Sequence, residues 1–487
     1  MESFEPEVTE KNFQEIPPRK GKPEIRPWIS LLVASSSIFL MTLDLGLTAV
    51  SLPEIRADFD ASKKQIINWG ATSYLVAMTS LLLLFGRLAD RYGRRKLFLI
   101  GLSITTMAVS LAAFTPNPEV FLIARTFQGA GVAILVPTAL AMVLGDIPQR
   151  HQGAAVGLWG SIGATAGVLG PISSGTLIEI FGWRATFALL AILGVLALVA
   201  GIRVLNESYL PEAPENLDLM SVLSGIISIG SVTLILLQGN DWGWFSKKII
   251  FLFFLGLLVT CIFFISCKRS RNPLLDLELF NNHKYRQATI AAGIHQVAFF
   301  AFFFSSPILL SEIWGWSPIK TGFTVAPAMV LAVLVQTPFG ILADRFGYRK
   351  LILYGGFVPS LGFAWWLIFV DPEPNYLSAF LPGLLVVSLG SAMVGITTTG
   401  VALTVVDTQK LGIANAMHQV SRRLGTTMGV ALAVGLSSGS NESEIFENIK
   451  ALWRIVALMY AIGSLFVWKS DVEKLFYFEH NRVIANS

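Results

Sequence analysis

Fourteen separate stretches of this chain are apolar over about the length a helix needs to cross a bilayer, roughly twenty residues. They run over 28–51, 66–86, 97–114, 120–144, 154–178, 185–205, 219–238, 249–267, 287–311, 322–343, 351–370, 377–405, 414–438 and 451–468, here called spans 1 to 14. A spanning segment must satisfy its own backbone polar groups, so it is a helix or a strand of a closed barrel. Barrel strands are short and alternate apolar with polar residues; these stretches do not. Only 14% of the 487 residues are charged, against about 25% in soluble proteins. The expected fold class is therefore all-α, a polytopic membrane protein with fourteen transmembrane helices in contact with the lipid bilayer.

Charge and cysteine usage narrow the classes further. A net charge of +4 over this length supplies no dense basic face, which excludes nucleic acid as a partner. Cys261 and Cys267 lie six residues apart in one apolar span, too far along a helix for a disulfide. No metal-ligand spacing and no phosphate-binding Gly-rich loop is present, so no metal and no cofactor is expected. The G-x-S-x-G pattern at 435–439 has no strand before it and no partnering His nearby, so it is no nucleophile elbow. Together these argue against an enzyme. Residues 1–27 and 469–487 read as disordered polar tails; the first lacks the apolar core of a signal peptide. An even number of spans puts both tails on one side. The Lys and Arg residues concentrate on the side of the tails, with Arg87, Arg91, Arg94, Arg95 and Lys96 in one short loop. That bias places both termini in the cytoplasm and the chain in the cell's inner (plasma) membrane.

Two loops are near copies. Residues 86–96 read GRLADRYGRRK and residues 340–350 read GILADRFGYRK. Both close an apolar span on the same side, so the copies are related without inversion, as in transporters built from two parallel halves. A basic loop alone would not need an Asp and two glycines at matched places. Six helices per half give bundles over 28–205 and 287–468, two inserted helices over 219–268, and a cytoplasmic linker over 269–286. The inserted pair is expected to flank neither cavity-lining half.

These loops resemble the signature of the major facilitator superfamily, and with fourteen helices the chain looks like its drug:proton antiporter branch of EmrB/QacA type. Four further segments fit: LDLGLTAVSLP at 43–53, RTFQGAG at 125–131, GATAGVLGPISSG at 163–175 and GWRATF at 182–187. The resemblance implies a major facilitator fold and proton-coupled export of small amphipathic organic compounds or drugs by alternating access. The alternative is a proton-coupled symporter importing an organic solute. Protons and a small-molecule substrate are the implied partners, and an accessory protein of the envelope is left open. The chain departs from the branch where Gly46 and Ala49 replace the frequent Thr and Asn, and where Ser174-Gly175 replaces Gly-Gly. No acid lies within 322–343, whereas some exporters of divalent cations carry one there. A neutral or monovalently cationic substrate, held by aromatic contacts, is expected for that reason.

The residues support the same roles physically. Asp44 is the one acid near the middle of any span. A carboxylate at membrane depth is costly and marks an ion or proton site. Arg125 must be paired if buried, and Asp44 and Gln128 are its expected partners; the alternative is a cation snorkelling to the interface. Gly163, Gly167, Pro171 and Gly175 fall on one face of span 5, with Gly170 beside them, a stripe that lets helices approach closely. The resemblance ties that stripe to antiport. Gly86, Asp90, Arg91, Gly93 and Arg94 of the first loop and Asp344, Arg345, Gly347 and Arg349 of the second are the expected gating residues; each Asp is expected to hold an Arg of its loop and to sit against a helix N-terminus. Gln128, His295, Gln296, Phe299, His418 and Arg422 are the expected cavity residues. Of the run Phe299, Phe300, Phe302, Phe303 and Phe304, only some can face a cavity.

Overall fold

The computed structural model describes residues 26–59, 64–144, 146–207, 217–270, 272–407, 410–437 and 441–468. The tails lie outside these except for Arg26 and Pro27, which open the first helix. The helices are α1 (Arg26–Ala34), α2 (Ser36–Asp58), α3 (Lys64–Tyr92), α4 (Arg94–Ala113), α5 (Pro118–Leu144), α6 (Gln152–Phe181), α7 (Arg184–Val204), α8 (Leu219–Trp242), α9 (Lys247–Arg269), α10 (His283–Ile308), α11 (Pro318–Phe346), α12 (Tyr348–Phe369), α13 (Leu381–Thr404), α14 (Leu411–Leu436) and α15 (Glu442–Trp468). Helices α1 and α2 make up span 1, so each later span is one helix. Thirteen of the spans are long and apolar enough to cross a membrane. The other, α14, is as long, but carries His418, Gln419, Arg422 and Arg423 near its middle.

One turn type joins the helices on both signature loops. Gly93 has φ of +103° and Gly347 has φ of +83°, a left-handed region that a Cβ disfavours. One such residue reverses the chain between α3 and α4, and again between α11 and α12. Elsewhere a side chain starts the helix. Asn282 accepts from the backbone N–H of Lys284 and Tyr285 at 3.0 and 3.3 Å, which caps α10. The helix therefore includes His283–Arg286, which the sequence reading gave to the linker because they are polar.

Helices α1–α7 pack with one another, chiefly α3 and α4 against α5 and α2 against α6. Helices α10–α15 form a second set around an aromatic core of Phe302, Phe363, Trp366, Phe380, Trp453 and Tyr460. The sets meet along α6 with α11 and α3 with α14. The inserted helices do not stand apart as expected. Helix α8 packs on both α3 and α14: Gln238 donates to Thr72 at 3.0 Å and Asn240 to the Ala431 carbonyl at 3.2 Å. It straddles the seam between the halves because its own polar groups find partners there. Helix α9 shows most of its apolar surface outward, including Phe251, Phe253, Phe254 and Leu258, as a lipid-facing helix does. Beyond α9, Lys410 ties the linker to the start of α14 through Asp276 at 2.9 Å and Glu278 at 3.4 Å. The bond to Asp276 raises the Lys410 ammonium above its ordinary range. At the opposite end of the bundle Arg184 holds Asp58 at 2.6 Å and keeps that carboxyl below the usual carboxylate range.

Candidate functional site

Two arrangements of buried polar groups stand out: an ion pair inside the first set, and a closure at the end that carries the signature loops. Asp44 is fully buried on α2. Its Oδ1 accepts from Arg125 Nη1 at 2.8 Å and from Thr48 at 3.2 Å. The same Arg125 nitrogen donates to Gln128 Oε1 at 2.6 Å, and the guanidinium stacks 4.3 Å from the Tyr74 ring centroid. Arg125 is buried within the bundle, so it does not snorkel. Tyr74 was not singled out in the sequence, and no motif marks it; a cation–π contact leaves no spacing pattern. Among the described residues Asp44 Oδ2, Arg125 Nε and the Tyr74 hydroxyl have no hydrogen-bond partner. A carboxylate with one oxygen paired and one free is held by few bonds, and adding a proton to it removes the charge that holds Arg125.

The close approach of α2 to α6 fixes this pair relative to the stripe of span 5. Gly170 lies against Gly46 and the Leu43 carbonyl, and a Cβ at Gly46 would meet Pro171 Cδ at 2.9 Å and Gly170 Cα at 3.0 Å. Gly46, a departure from the branch pattern, is thus what lets α2 touch α6 two residues beyond Asp44. Gly163 faces Ile38, and Gly167 faces Thr42 and Met329. Gly175 has nothing within 4 Å of where its Cβ would be. It faces outward, while the neighbouring Ser174 still donates to the Leu47 carbonyl of α2 at 3.2 Å.

At the loop end each signature Asp reaches across to the other set. Asp90 accepts from the Ile413 backbone N–H at 3.1 Å, at the start of α14. Asp344 accepts from Gly153 and Ala154 at 2.8 and 2.9 Å, at the start of α6. Both helix starts carry a glycine, Gly412 and Gly153, where a Cβ would run into the carboxylate. That matched glycine was a readable signal that the sequence reading missed. The arginines differ from expectation. Asp90 pairs with Arg94 at 2.9 Å, while Arg91 stacks on Tyr92. Asp344 has no cation within ion-pair distance among the described residues, so Arg345 and Arg349 do not hold it; position 348, which matches Arg94, is Tyr. Gly86 packs against Ala416, whose Cβ would lie 2.5 Å from a Cβ at position 86, and Gly340 packs against the Gly153 carbonyl. Gly93 lies under Glu207, which accepts from the Arg95 and Lys96 backbone at 3.0 and 3.1 Å.

Between α6 and the second set lies a cavity of about 230 Å³. His295, Gln296, Phe299 and Arg422 are on its wall, as are Trp159 and Gln336, which the sequence did not flag. Phe302 and Phe303 also line it; Phe304 faces outward. Gln128 and His418 are not on this wall. Gln128 serves Arg125, and His418 is buried between Thr289 at 3.4 Å and Thr399 at 3.2 Å. His295 spends its ring nitrogens on the Ala291 carbonyl at 2.6 Å and Ser464 at 3.3 Å.

A family model described as Major Facilitator Superfamily matches residues 34–266 and 288–475. The chain belongs to that superfamily. It is a multi-pass membrane transporter. It is 26% identical over 469 residues to the Methylenomycin A resistance protein of Bacillus subtilis (strain 168), covering 94% of this chain and 96% of that one. It is 26% identical over 430 residues to the Tetracenomycin C resistance and export protein of Streptomyces glaucescens, covering 87% and 78%. Among solved structures, the human organic anion transporter MFSD10 (TETRAN) superposes with a TM-score of 0.67 at 13% identity, over 92% of this chain and 100% of that one. At that identity the likeness is one of fold alone.

Proposed function

We propose that this transporter exports small amphipathic organic compounds across the inner (plasma) membrane in exchange for protons, with both termini and both signature loops in the cytoplasm. The resistance and export proteins among its relatives support efflux. The observation that carries proton coupling is the Asp44–Arg125 pair, a fully buried carboxylate inside the first set, held by one cation at 2.8 Å, whose second oxygen has no partner among the described residues. With the cytoplasmic end closed by Asp90 and Asp344, Asp44 exchanges protons with the outer side. Protonation cancels the charge that holds Arg125 and loosens α2 from α5. Because Gly46 sets α2 directly on Gly170 and Pro171, that loosening reaches α6, whose other end meets Asp344. The cytoplasmic end then opens, the proton leaves inward, and substrate enters.

Protonation and substrate release are linked by one coupling free energy. Substrate binding to the native protein therefore strengthens as the proton leaves Asp44, and this pH dependence vanishes in Asp44→Asn. The decisive measurement is transport of a dye panel into inverted vesicles under an imposed pH gradient. Native protein accumulates dye; Asp44→Asn does not, yet still binds it. Full gradient-driven export by Asp44→Asn would overturn the assignment and move the proton site to His295, His418 or the loop acids.

A further inference from the structure

Among the described residues the cavity beside α6 has one charged group on its wall, and it is a cation. Arg422 enters from α14 beside Gln296, whose Oε1 accepts from Nε and Nη2 at 3.4 Å each. Both contacts are long and go to a neutral amide. Its neighbour Arg423 turns the other way and meets Met41 Sδ at 2.9 Å, with its Nε unpartnered. Among the described residues neither arginine has a carboxylate within ion-pair distance, and no acid lines the cavity. Two adjacent guanidinium groups at mid-helix in a membrane are costly without a counter-charge. Arg125, inside the first set, has one. The rest of the wall is mainly apolar, with Trp159, Phe299, Phe302 and Phe303, and also carries the neutral polar groups of Gln336, Ser388, Thr398 and Thr399.

We infer that this cavity is a substrate site for organic anions, in which a carboxylate or similar planar oxyanion takes a forked bond from Arg422 beside Gln296 while an aromatic body lies against Trp159 and Phe299. Guanidinium groups bind such oxyanions in paired bonds that also fix orientation. Arg423 adds positive potential from one residue away without touching the ligand. This assignment deepens the export reading above and rests on it for the direction of transport. It replaces the neutral or monovalently cationic substrate expected from the absence of an acid within 322–343.

The test uses three probes of one shape: 2-naphthoate, 2-naphthamide and 2-naphthylmethylammonium. Each is titrated calorimetrically into the full chain in nanodiscs of zwitterionic lipid, with empty nanodiscs as the partition control and no pH gradient. Naphthoate is expected to bind roughly tenfold or more tighter than the amide, as a charge-assisted bond does, and the ammonium weakest. Arg422→Gln should erase the preference for the anion and Arg422→Lys should keep part of it. Should Arg422→Gln not fold, the ranking on the native protein decides alone. Equal or tighter binding of the ammonium, or binding by none of the three, overturns the site. Gradient-driven transport is then measured separately. Selective binding of naphthoate without transport would sink the antiport reading and leave the anion site standing.

Discussion

The two signature loops carry nearly the same residues and close the same end of the molecule, yet they balance their carboxylates, buried Asp90 and half-buried Asp344, differently. Asp90 shares its charge between Arg94 at 2.9 Å and one backbone N–H of α14. Asp344 faces Tyr348 at 3.5 Å and depends on two backbone N–H groups at the start of α6. What the copies share is the contact that crosses between the halves, a carboxylate on a helix N-terminus. What they do not share is the internal counter-charge. The first loop is thus an ion pair that also touches its neighbour; the second is an anion whose stabilisation comes almost wholly from the neighbour. The contact across the seam is what both loops retain, and it is present only while this end is closed.

The largest effect that follows is that of Asp90→Asn. It replaces the carboxylate charge that faces buried Arg94 with a neutral amide, beside the Ala141 carbonyl at 3.0 Å. Removing one partner of a buried ion pair costs about 3–5 kcal/mol. Opening admits water to Arg94, so the closed state bears the cost and the equilibrium shifts toward open. Tyr92 and Phe346 occupy matched, exposed places in the two loops. Spin labels on Tyr92→Cys and Phe346→Cys, with Cys261 and Cys267 replaced by Ser, report the separation of the two ends. Asp90→Asn should move most of the distance distribution to the longer component and slow turnover with substrate affinity retained. An unchanged distribution and a native rate would make the loop a topology signal only.

The glycines separate the copies next. A Cβ at Gly340 runs into the backbone carbonyl of Gly153, whereas one at Gly86 meets the Ala416 side chain at 2.5 Å and the Gly412 carbonyl at 3.1 Å. Backbone yields less readily than a side chain, and overpacking costs about 1–3 kcal/mol. Gly340→Ala should therefore spread the labelled ends more than Gly86→Ala does. The reverse order would show that α3 against α14, and not α6 against α11, is the tighter seam.

How far the chain could be read shows in the same residues. The repeated loops, Asp44, Arg125 and the small-residue face of span 5 stand out because each breaks an apolar background, and a polar group in such a background has few tolerable neighbours. The pairing of Arg125 with Asp44 and Gln128 followed from that scarcity. Which residues line the cavity did not follow. Helix α14 is enclosed over most of its circumference, so no apolar stripe tells His418, wedged between Thr289 and Thr399, from Arg422, which faces the cavity. Trp159 and Gln336 sit in runs that look like ordinary span, and only the meeting of α6 with α11 gives them a role. The difference between the loops was written in the sequence as Arg94 against Tyr348, but its meaning depends on the two helix starts.

Asp344→Asn gives the smallest effect and tests the comparison most sharply. No buried arginine is orphaned by it, since Asp344 has no cation in ion-pair reach among the described residues. The amide oxygen can still accept from one of Gly153 and Ala154, but the amide nitrogen cannot accept from the other. What is lost is one hydrogen bond and the attraction of a full charge to the start of α6, about 1 kcal/mol where the site is partly buried. On the labels at positions 92 and 346 this predicts a partial shift, clearly less than that of Asp90→Asn. Because the two aspartates touch different helices, the double variant should give nearly the sum of the two free-energy shifts. A shift for Asp344→Asn as large as that for Asp90→Asn would mean that the helix N-terminus carries the closure and that Arg94 adds little. A double variant no worse than Asp90→Asn alone would mean that one contact already sets the state of the whole end, and that the second copy of the loop works only while the first is intact.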